Sequence, residues 1–163
     1  MGGGGGGPRS IGDIKSLVER AKKELREGEE QGRKNVFISF AHEDIDDVNL
    51  LRGQAKNEKM PIEFNDWSVS VPIDSERAPY IKQKISERIA QSSLTVVYLS
   101  DKTSKSKWVK WEIEETLRRG KQVIGVFAGK TQPRSLPTAI RQNKIKCVPW
   151  SKLSETIESL NSS

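Results

Sequence analysis

Short apolar runs, separated by longer polar segments, limit how this chain can fold. Five runs recur along the sequence: NVFISF (35–40), IEFNDW (62–67), LTVVYLS (94–100), QVIGVFA (122–128) and the weaker IKCVPW (145–150). Most of them are continuously apolar, and a strand is continuously apolar when both faces of its sheet are buried. We therefore expect each run to form a strand of one covered sheet.

Most of the segments between these runs have apolar residues at the three- and four-residue spacing of a helix. Apolar residues three and four apart predict helices over 43–56, from Pro79 to beyond Ile89, over about 105–119, and over 151–161, where Ser151 is a candidate N-cap. In the first helix either Leu50 or Leu51 can complete the buried stripe. Strands that alternate with helices predict a doubly wound, flavodoxin-like α/β fold, in which a five-stranded parallel sheet carries helices on both faces.

The segment before the first strand differs in composition. Residues 1–10 form a glycine-rich leader that we expect to be flexible. Residues 11–32 place apolar side chains at spacings of three and four, which predicts an N-terminal amphipathic helix. Its apolar stripe requires a partner, either the domain at 34–163 or a second subunit.

Composition excludes several classes of site. The chain has one cysteine and one histidine, so we expect neither a disulfide framework nor a metal site. No apolar stretch reaches the roughly 18–20 residues of a membrane span, and the start does not read as a secretory signal, so we expect a cytoplasmic protein. Neither a Gly-x-Gly-x-x-Gly turn nor a Walker lysine loop is present. The net charge of +6 favours an anionic partner.

The segment SKSKWVKWEIEET (104–116) concentrates tryptophans and glutamates on one predicted helix. The face that turns to the sheet carries Val109, Ile113, Thr116 and Leu117. Helical spacing places Trp108, Glu112 and Glu115 along one flank of that face. Glu112 has no cation three or four residues away on its own helix. A carboxylate beside an indole and another acid is expected to have a perturbed pKa, as functional carboxylates do. The alternative is a solvated glutamate on a half-exposed face.

The other two glutamates have cations at helical spacing. Glu114 precedes Arg118 by four residues, and Glu115 precedes Arg119 by four. We therefore expect two ion pairs on this helix, neither of which involves Glu112.

These segments resemble TIR domains. SKWVKWEI is similar to the Ser-x-Trp-x-x-x-Glu motif of that superfamily, and NVFISFAHED is similar to its first sequence box. Residues 68–78 stand where the family has its mobile loop. The resemblance covers about 34–150, and LRGQAKNEKMPIEFNDWSV with KWVKWEIEETLRRGKQVIGV is more narrowly similar to the TIR-like (ThsB-type) proteins of bacterial Thoeris anti-phage systems.

The resemblance implies an activity and a set of site residues. The implied substrate is NAD+, with no further cofactor, and Glu112 is the implied catalytic residue. The implied substrate-binding residues are Ser39, Phe40, Ala41, Asp66, Trp67 and Trp108. The implied product is ADP-ribose or a cyclic ADP-ribose isomer that signals to a downstream effector, and the implied assembly is self-association.

Three other functions fit parts of the sequence. A TIR-like interaction module without turnover keeps the same fold. A receiver domain requires a phosphoacceptor such as Asp101, an acidic pair such as Glu43 and Asp44, and a lysine such as Lys130. The lysines at 102, 105, 107 and 110 suggest nucleic-acid binding, but few stacking residues are interleaved, so we expect a solvated face and no nucleic-acid partner.

Overall fold

A parallel sheet organises the computed structural model, which describes residues 18–20, 34–65 and 72–161. Within these residues the strands are β1 (Lys34–Ser39), β2 (Ile62–Asn65), β3 (Leu94–Tyr98), β4 (Gln122–Phe127) and β5 (Cys147–Pro149). Their order across the sheet is β2-β1-β3-β4-β5, and all neighbours are parallel. This is the flavodoxin-like order, so the predicted fold class is confirmed.

Within the described residues a helix follows each strand, and the spacing predicted all of these helices except the short one after β4. They are α1 (Ile45–Asn57), α2 (Ala78–Gln91), α3 (Lys107–Arg118), α4 (Thr138–Gln142) and α5 (Leu153–Asn161), with 3₁₀ turns at His42–Asp44, Thr103–Lys105 and Trp150–Lys152. Leu51 packs against the core, whereas Leu50 is 73% exposed. The predicted N-cap at Ser151 is wrong, because that residue lies inside the 3₁₀ turn that precedes α5.

The chain divides into two units, Met1–Arg33 and Lys34–Ser163. In the first unit the structure describes only residues 18–20, which are helical. The predicted leader at 1–10 and most of the predicted helix at 11–32 therefore lie outside the described residues. In the described parts of the chain, no helix has the length and apolar character needed to cross a membrane.

Alternate residues of β1 face opposite sides of the sheet. Val36 and Ile38 belong to a core cluster with Val48 of α1 and Leu153 of α5. Phe37, between them, packs instead with residues of α2. Because side chains alternate along a strand, Ser39 lies on the same side as Phe37. The last residue of β1 therefore points towards the layer that contains α2 and α3.

Local signals fix the two ends of α3. Ser106, the serine of the Ser-x-Trp motif, is the N-cap, and its Oγ accepts a hydrogen bond from the Val109 amide at 3.2 Å. At the other end Gly120 adopts a φ of 74° and donates its amide to Leu117 at 2.9 Å. A left-handed residue after the last turn is the usual glycine C-cap. The motif serine thus sets the register in which α3 begins.

Candidate active site

Glu112 of α3 is buried against the end of β1. Its relative exposure is 4%, and that of Ser39 is 1%. The Ser39 hydroxyl donates a hydrogen bond to Glu112 Oε1 at 2.5 Å. The expectation of a solvated glutamate is therefore wrong. The carboxylate sits in a low-dielectric position, where each polar contact is stronger than it is in water.

The topology explains why these two residues meet. Ser39 ends β1 and stands opposite Val97 in the register of β3. The sheet order reverses between β1 and β3, and open parallel sheets bind ligands at the carboxyl ends of strands beside such a reversal. The chain leaves β3, forms α3, and packs that helix back against both strands. Glu112 is thereby brought to the reversal point.

Two threonines hold the backbone of Glu112. Thr116 Oγ1 donates to the Glu112 carbonyl oxygen at 2.8 Å, and Thr95 Oγ1 of β3 lies 2.8 Å from Thr116 Oγ1. Both threonines are fully buried. Sequence reasoning placed Thr116 on the sheet-facing side of α3 but did not predict this link. The helix is therefore tied to β3 through its backbone and to β1 through its carboxylate.

The two tryptophans of α3 brace the helix pair α2 and α3. Trp108 and Trp111 meet edge to face, with ring centroids 6.0 Å apart and an interplanar angle of 85°. Both are partly buried against the cluster of Phe37, Ile85 and Ile89. Trp108 lies one turn before Glu112, as the motif requires. Its predicted contact with substrate stays a prediction.

The remaining predicted binding residues are placed as follows. Phe40 is buried in the core on the α1 and α5 side of the sheet, away from the side that Ser39 faces. Ala41 is buried at the start of the turn after β1. Asp66 and Trp67 lie outside the described residues. The structure thus brings Ser39 together with Glu112 and sets Trp108 on the same helix.

A second polar cluster, which sequence reasoning did not assign to this site, lies at the same edge of the sheet. The Ser100 hydroxyl donates to Asp44 Oδ2 at 2.6 Å, and the Ser100 amide donates to Thr103 Oγ1 at 2.7 Å. Burial raises the pKa of Asp44, while the Ser100 hydrogen bond and the nearby Lys102 act in the opposite direction. The cluster ties the turn after β1 to the turn after β3. The acidic run after a predicted strand was its only signal in the sequence.

Glu115 carries the ion pairs of α3. Arg118 Nη2 lies 2.8 Å and Arg119 Nε 3.0 Å from its Oε2. The predicted pair with Arg119 is confirmed. The predicted pair of Glu114 with Arg118 is wrong, because Arg118 turns to the buried carboxylate of Glu115, whereas Glu114 is exposed.

The structure does not support the receiver alternative. The side chain of Asp101 is 88% exposed, with one carboxylate oxygen 3.7 Å from Lys102 Nζ. Lys130 is exposed as well. A phosphoacceptor needs an acidic pocket that binds a divalent cation, and no cluster of three metal-binding side chains occurs among the residues that the structure describes. The lysines at 102, 105, 107 and 110 are all exposed, as expected of a solvated face.

The 2-1-3-4-5 sheet, the capped Ser-x-Trp helix and the buried glutamate define a TIR-like α/β domain. Residues 37–133, more than half of the chain, match the family model described as "Thoeris protein ThsB, TIR-like domain". The chain therefore belongs to the ThsB TIR-like family.

Two known proteins illustrate the relationship. The chain is 27% identical over 97 residues to the "Putative cyclic ADP-D-ribose synthase ThsB1" of Bacillus cereus (strain MSX-D12), a match that covers 57% of this chain and 50% of that protein. The chain thus spans about half the length of this curated relative. The TIR domain of the Toll-related receptor TRR-2 from Hydra magnipapillata matches with a TM-score of 0.50 at 21% identity, covering 72% of this chain and 85% of that chain. The second similarity shows the fold alone.

Proposed function

We propose that this protein cleaves the bond between nicotinamide and ribose in NAD+ and releases a cyclic ADP-ribose isomer as a signal in anti-phage defence. The observation that carries the proposal is the buried Glu112 carboxylate, held by Ser39 at the carboxyl edge between β1 and β3. The printed name of the ThsB1 relative, a putative cyclic ADP-D-ribose synthase, supports the same chemistry. NAD+ is then the substrate, and no additional cofactor is needed.

The chemistry suits a carboxylate without a strong general acid. Scission of the glycosidic bond develops positive charge on the ribose, as it does in glycoside hydrolysis, and a fixed carboxylate stabilises that charge. Nicotinamide leaves as a neutral molecule from a cationic pyridinium, so its departure requires no proton. Glu112 supplies the negative charge, and burial strengthens its effect because little water screens it.

The fate of the ribose depends on access of water. If water is excluded, a nucleophile within the same ADP-ribose attacks the anomeric carbon and closes a ring. Trp108, one turn before Glu112, forms one wall of the proposed pocket. Ser39 and Ala41 border it at the end of β1, and Phe40, Asp66 and Trp67 complete the predicted set.

The cellular context follows from the proposed product. The cyclic nucleotide carries the signal to a downstream effector, so the two proteins need not touch. We place the reaction in the cytoplasm, where NAD+ is available. Self-association through the apolar stripe of residues 11–32 is part of the proposal, because such a stripe requires a partner.

The test compares wild-type protein with Glu112→Gln and with the control Glu114→Gln. The control removes the same charge from the same helix at an exposed position. Each protein is incubated at high concentration with NAD+, and products are resolved by chromatography and mass spectrometry. We expect wild type and Glu114→Gln to release nicotinamide and Glu112→Gln to release none. A companion product one water lighter than ADP-ribose identifies cyclisation.

Two outcomes contradict the proposal. Equal release by all three proteins assigns the chemistry to another residue. No release by any of them favours a TIR-like interaction module.

A further inference from the structure

The Ser39 side chain has one hydrogen-bond donor, its hydroxyl group, and that donor is bonded to Glu112. Serine carries a single O–H donor. That donor is directed at Glu112 Oε1 at 2.5 Å, and the serine is buried to 1% exposure. Because this side chain is buried and its only donor is already bonded to Glu112, its role is not to donate a hydrogen bond to substrate.

We infer that Ser39 is a positioning residue, which fixes the orientation of the Glu112 carboxylate for the reaction proposed above. The inference rests on that proposed function and adds a distinct role for this serine. Ser39 acts through Glu112 and not by touching the reacting atoms.

The surrounding structure makes such positioning effective. Ser39 is the last residue of β1, and its backbone is held in register opposite Val97 of β3. The backbone of Glu112 is held independently, through Thr116 and Thr95. The Ser39 hydrogen bond acts on the side-chain torsions of Glu112, which the backbone contacts do not fix. Misplacement of a reacting group by about 1 Å can cost on the order of 100-fold in rate.

A purely structural role is the competing explanation, since any buried carboxylate needs donors. The same helix provides a matched comparison. Ser86 of α2 donates to Glu115 Oε2, one helical turn beyond Glu112. Ser86→Ala therefore removes the same kind of hydrogen bond from α3 without affecting Glu112.

The experiment measures kcat and KM for NAD+ cleavage in wild type, Ser39→Ala, Ser39→Thr and Ser86→Ala. We expect Ser39→Ala to lower kcat by about 10- to 100-fold with KM changed less than about twofold, because the loss falls on the transition state. Ser39→Thr keeps the hydroxyl and recovers part of the rate. Ser86→Ala keeps the wild-type kcat, although both alanine variants lower the unfolding midpoint.

Other kinetic results overturn the inference. A raised KM with unchanged kcat shows that Ser39 binds substrate directly. A kcat reduced equally by Ser39→Ala and Ser86→Ala shows a general structural effect. Unchanged constants in Ser39→Ala show that Glu112 holds its orientation without the serine.

A double-mutant cycle separates this inference from the proposed function. Ser39→Ala is combined with Glu112→Met, which removes the acceptor oxygens, and the four unfolding midpoints are compared. Non-additive shifts show that Ser39 and Glu112 interact, whether or not the wild-type protein cleaves NAD+. If the shifts are non-additive and no NAD+ is cleaved, the proposed function fails while the Ser39–Glu112 interaction stands. Additive shifts overturn the positioning role whatever the activity.

Discussion

Arg118 donates two hydrogen bonds to the carboxylate of Glu115, from Nε to Oε1 at 2.9 Å and from Nη2 to Oε2 at 2.8 Å. Arg119 and Ser86 donate to the same carboxylate. Because Ser86 belongs to α2, this cluster fixes α2 to α3.

The Glu115 cluster predicts loss of stability in acid. Burial raises the pKa of Glu115, but hydrogen bonds from Ser86, Arg118 and Arg119 outweigh burial and hold the pKa below its ordinary value of 4.5. A lowered folded-state pKa contributes stability above the unfolded value, and that stability is lost as pH falls through the folded value. We expect Glu115→Gln to lower the free energy of unfolding by about 1–3 kcal/mol at pH 7.

Urea unfolding at several pH values checks this prediction. The gap between wild type and Glu115→Gln should narrow as pH falls from the ordinary pKa of 4.5 through the lowered pKa of the folded protein, because the wild-type carboxylate becomes protonated over that range. Glu114→Gln, at an exposed position, should match wild type throughout. A gap of constant size from pH 3 to pH 7 would contradict the electrostatic explanation.

We expect the contribution of Asp44 to stability to depend on pH in the opposite direction to that of Glu115. The pKa of Asp44 is raised above 3.8, chiefly by burial, so the folded protein disfavours the ionised form. Stability attributable to this group therefore falls as pH rises through the unfolded and then the folded pKa. Asp44→Asn keeps an oxygen that can accept the Ser100 hydrogen bond and removes the buried charge. We expect a higher unfolding temperature than wild type at pH 7 and no difference at pH 3, measured by calorimetry.

The Asp44→Asn variant also shows whether this carboxylate contributes to activity or only to stability. If Asp44→Asn stabilises the protein at pH 7 but lowers NAD+ cleavage, then the carboxylate serves the site at a cost in stability. A lower unfolding temperature at pH 7 would show that the charged Asp44–Ser100 hydrogen bond outweighs the burial cost.

Local patterns in the sequence predicted most of the fold. Continuous apolar runs marked the strands, because a strand covered on both faces has no polar side to alternate with. Helical spacing placed Val109 and Ile113 on the buried face of α3, as the structure has them. The end at Gly120 was also predictable, because its signal lies within one turn of the chain.

The site was less predictable, because its contacts join distant parts of the chain. Ser39 and Glu112 are 73 positions apart, and Asp44 and Ser100 are 56 apart. Spacing within one helix identified Glu112 as the glutamate with no cation three or four positions away on its own helix, but it could not identify a serine on another element as a partner. The error over Arg118 has another cause. Glu114 and Glu115 both lie within helical reach of Arg118, and the buried carboxylate of Glu115 attracts the cation more strongly than the exposed one of Glu114 does.

We expect Lys121 to stabilise the C-terminal end of α2 through its side-chain hydrogen bonds. Its Nζ donates to the carbonyl oxygens of Ile89, Ala90 and Ser92, at 3.1, 2.7 and 2.5 Å. These carbonyls lie at the C-terminal end of α2, where a cation is also favoured by the helix dipole. We expect Lys121→Met, which keeps the apolar stem, to lower the free energy of unfolding by about 1–2 kcal/mol. Lys110→Met, an exposed control on α3, should have no effect in the same denaturant titration, and equal effects would contradict the assignment.

Gly125 of β4 lies too close to its neighbours to accept a side chain. A Cβ built on this residue of β4 would lie 2.8 Å from Leu99 Cδ1 and 2.9 Å from Cys147 Sγ. Cys147 stands directly opposite in the register of β5, so the strands leave no room for a methyl group. Overpacking of this kind costs about 1–3 kcal/mol. We expect Gly125→Ala to lower the free energy of unfolding by that amount.

Two further variants test whether space at Gly125 is the cause. Gly53→Ala on α1 meets nothing within 4 Å, and it should stabilise the protein by about 0.5–1 kcal/mol because alanine favours a helix. Cys147→Ala removes the sulfur atom that the new methyl group would meet. The double variant Gly125→Ala with Cys147→Ala should therefore be more stable than the sum of the two single effects. Strict additivity would mean that Leu99 alone, or strain in β4 itself, accounts for the loss.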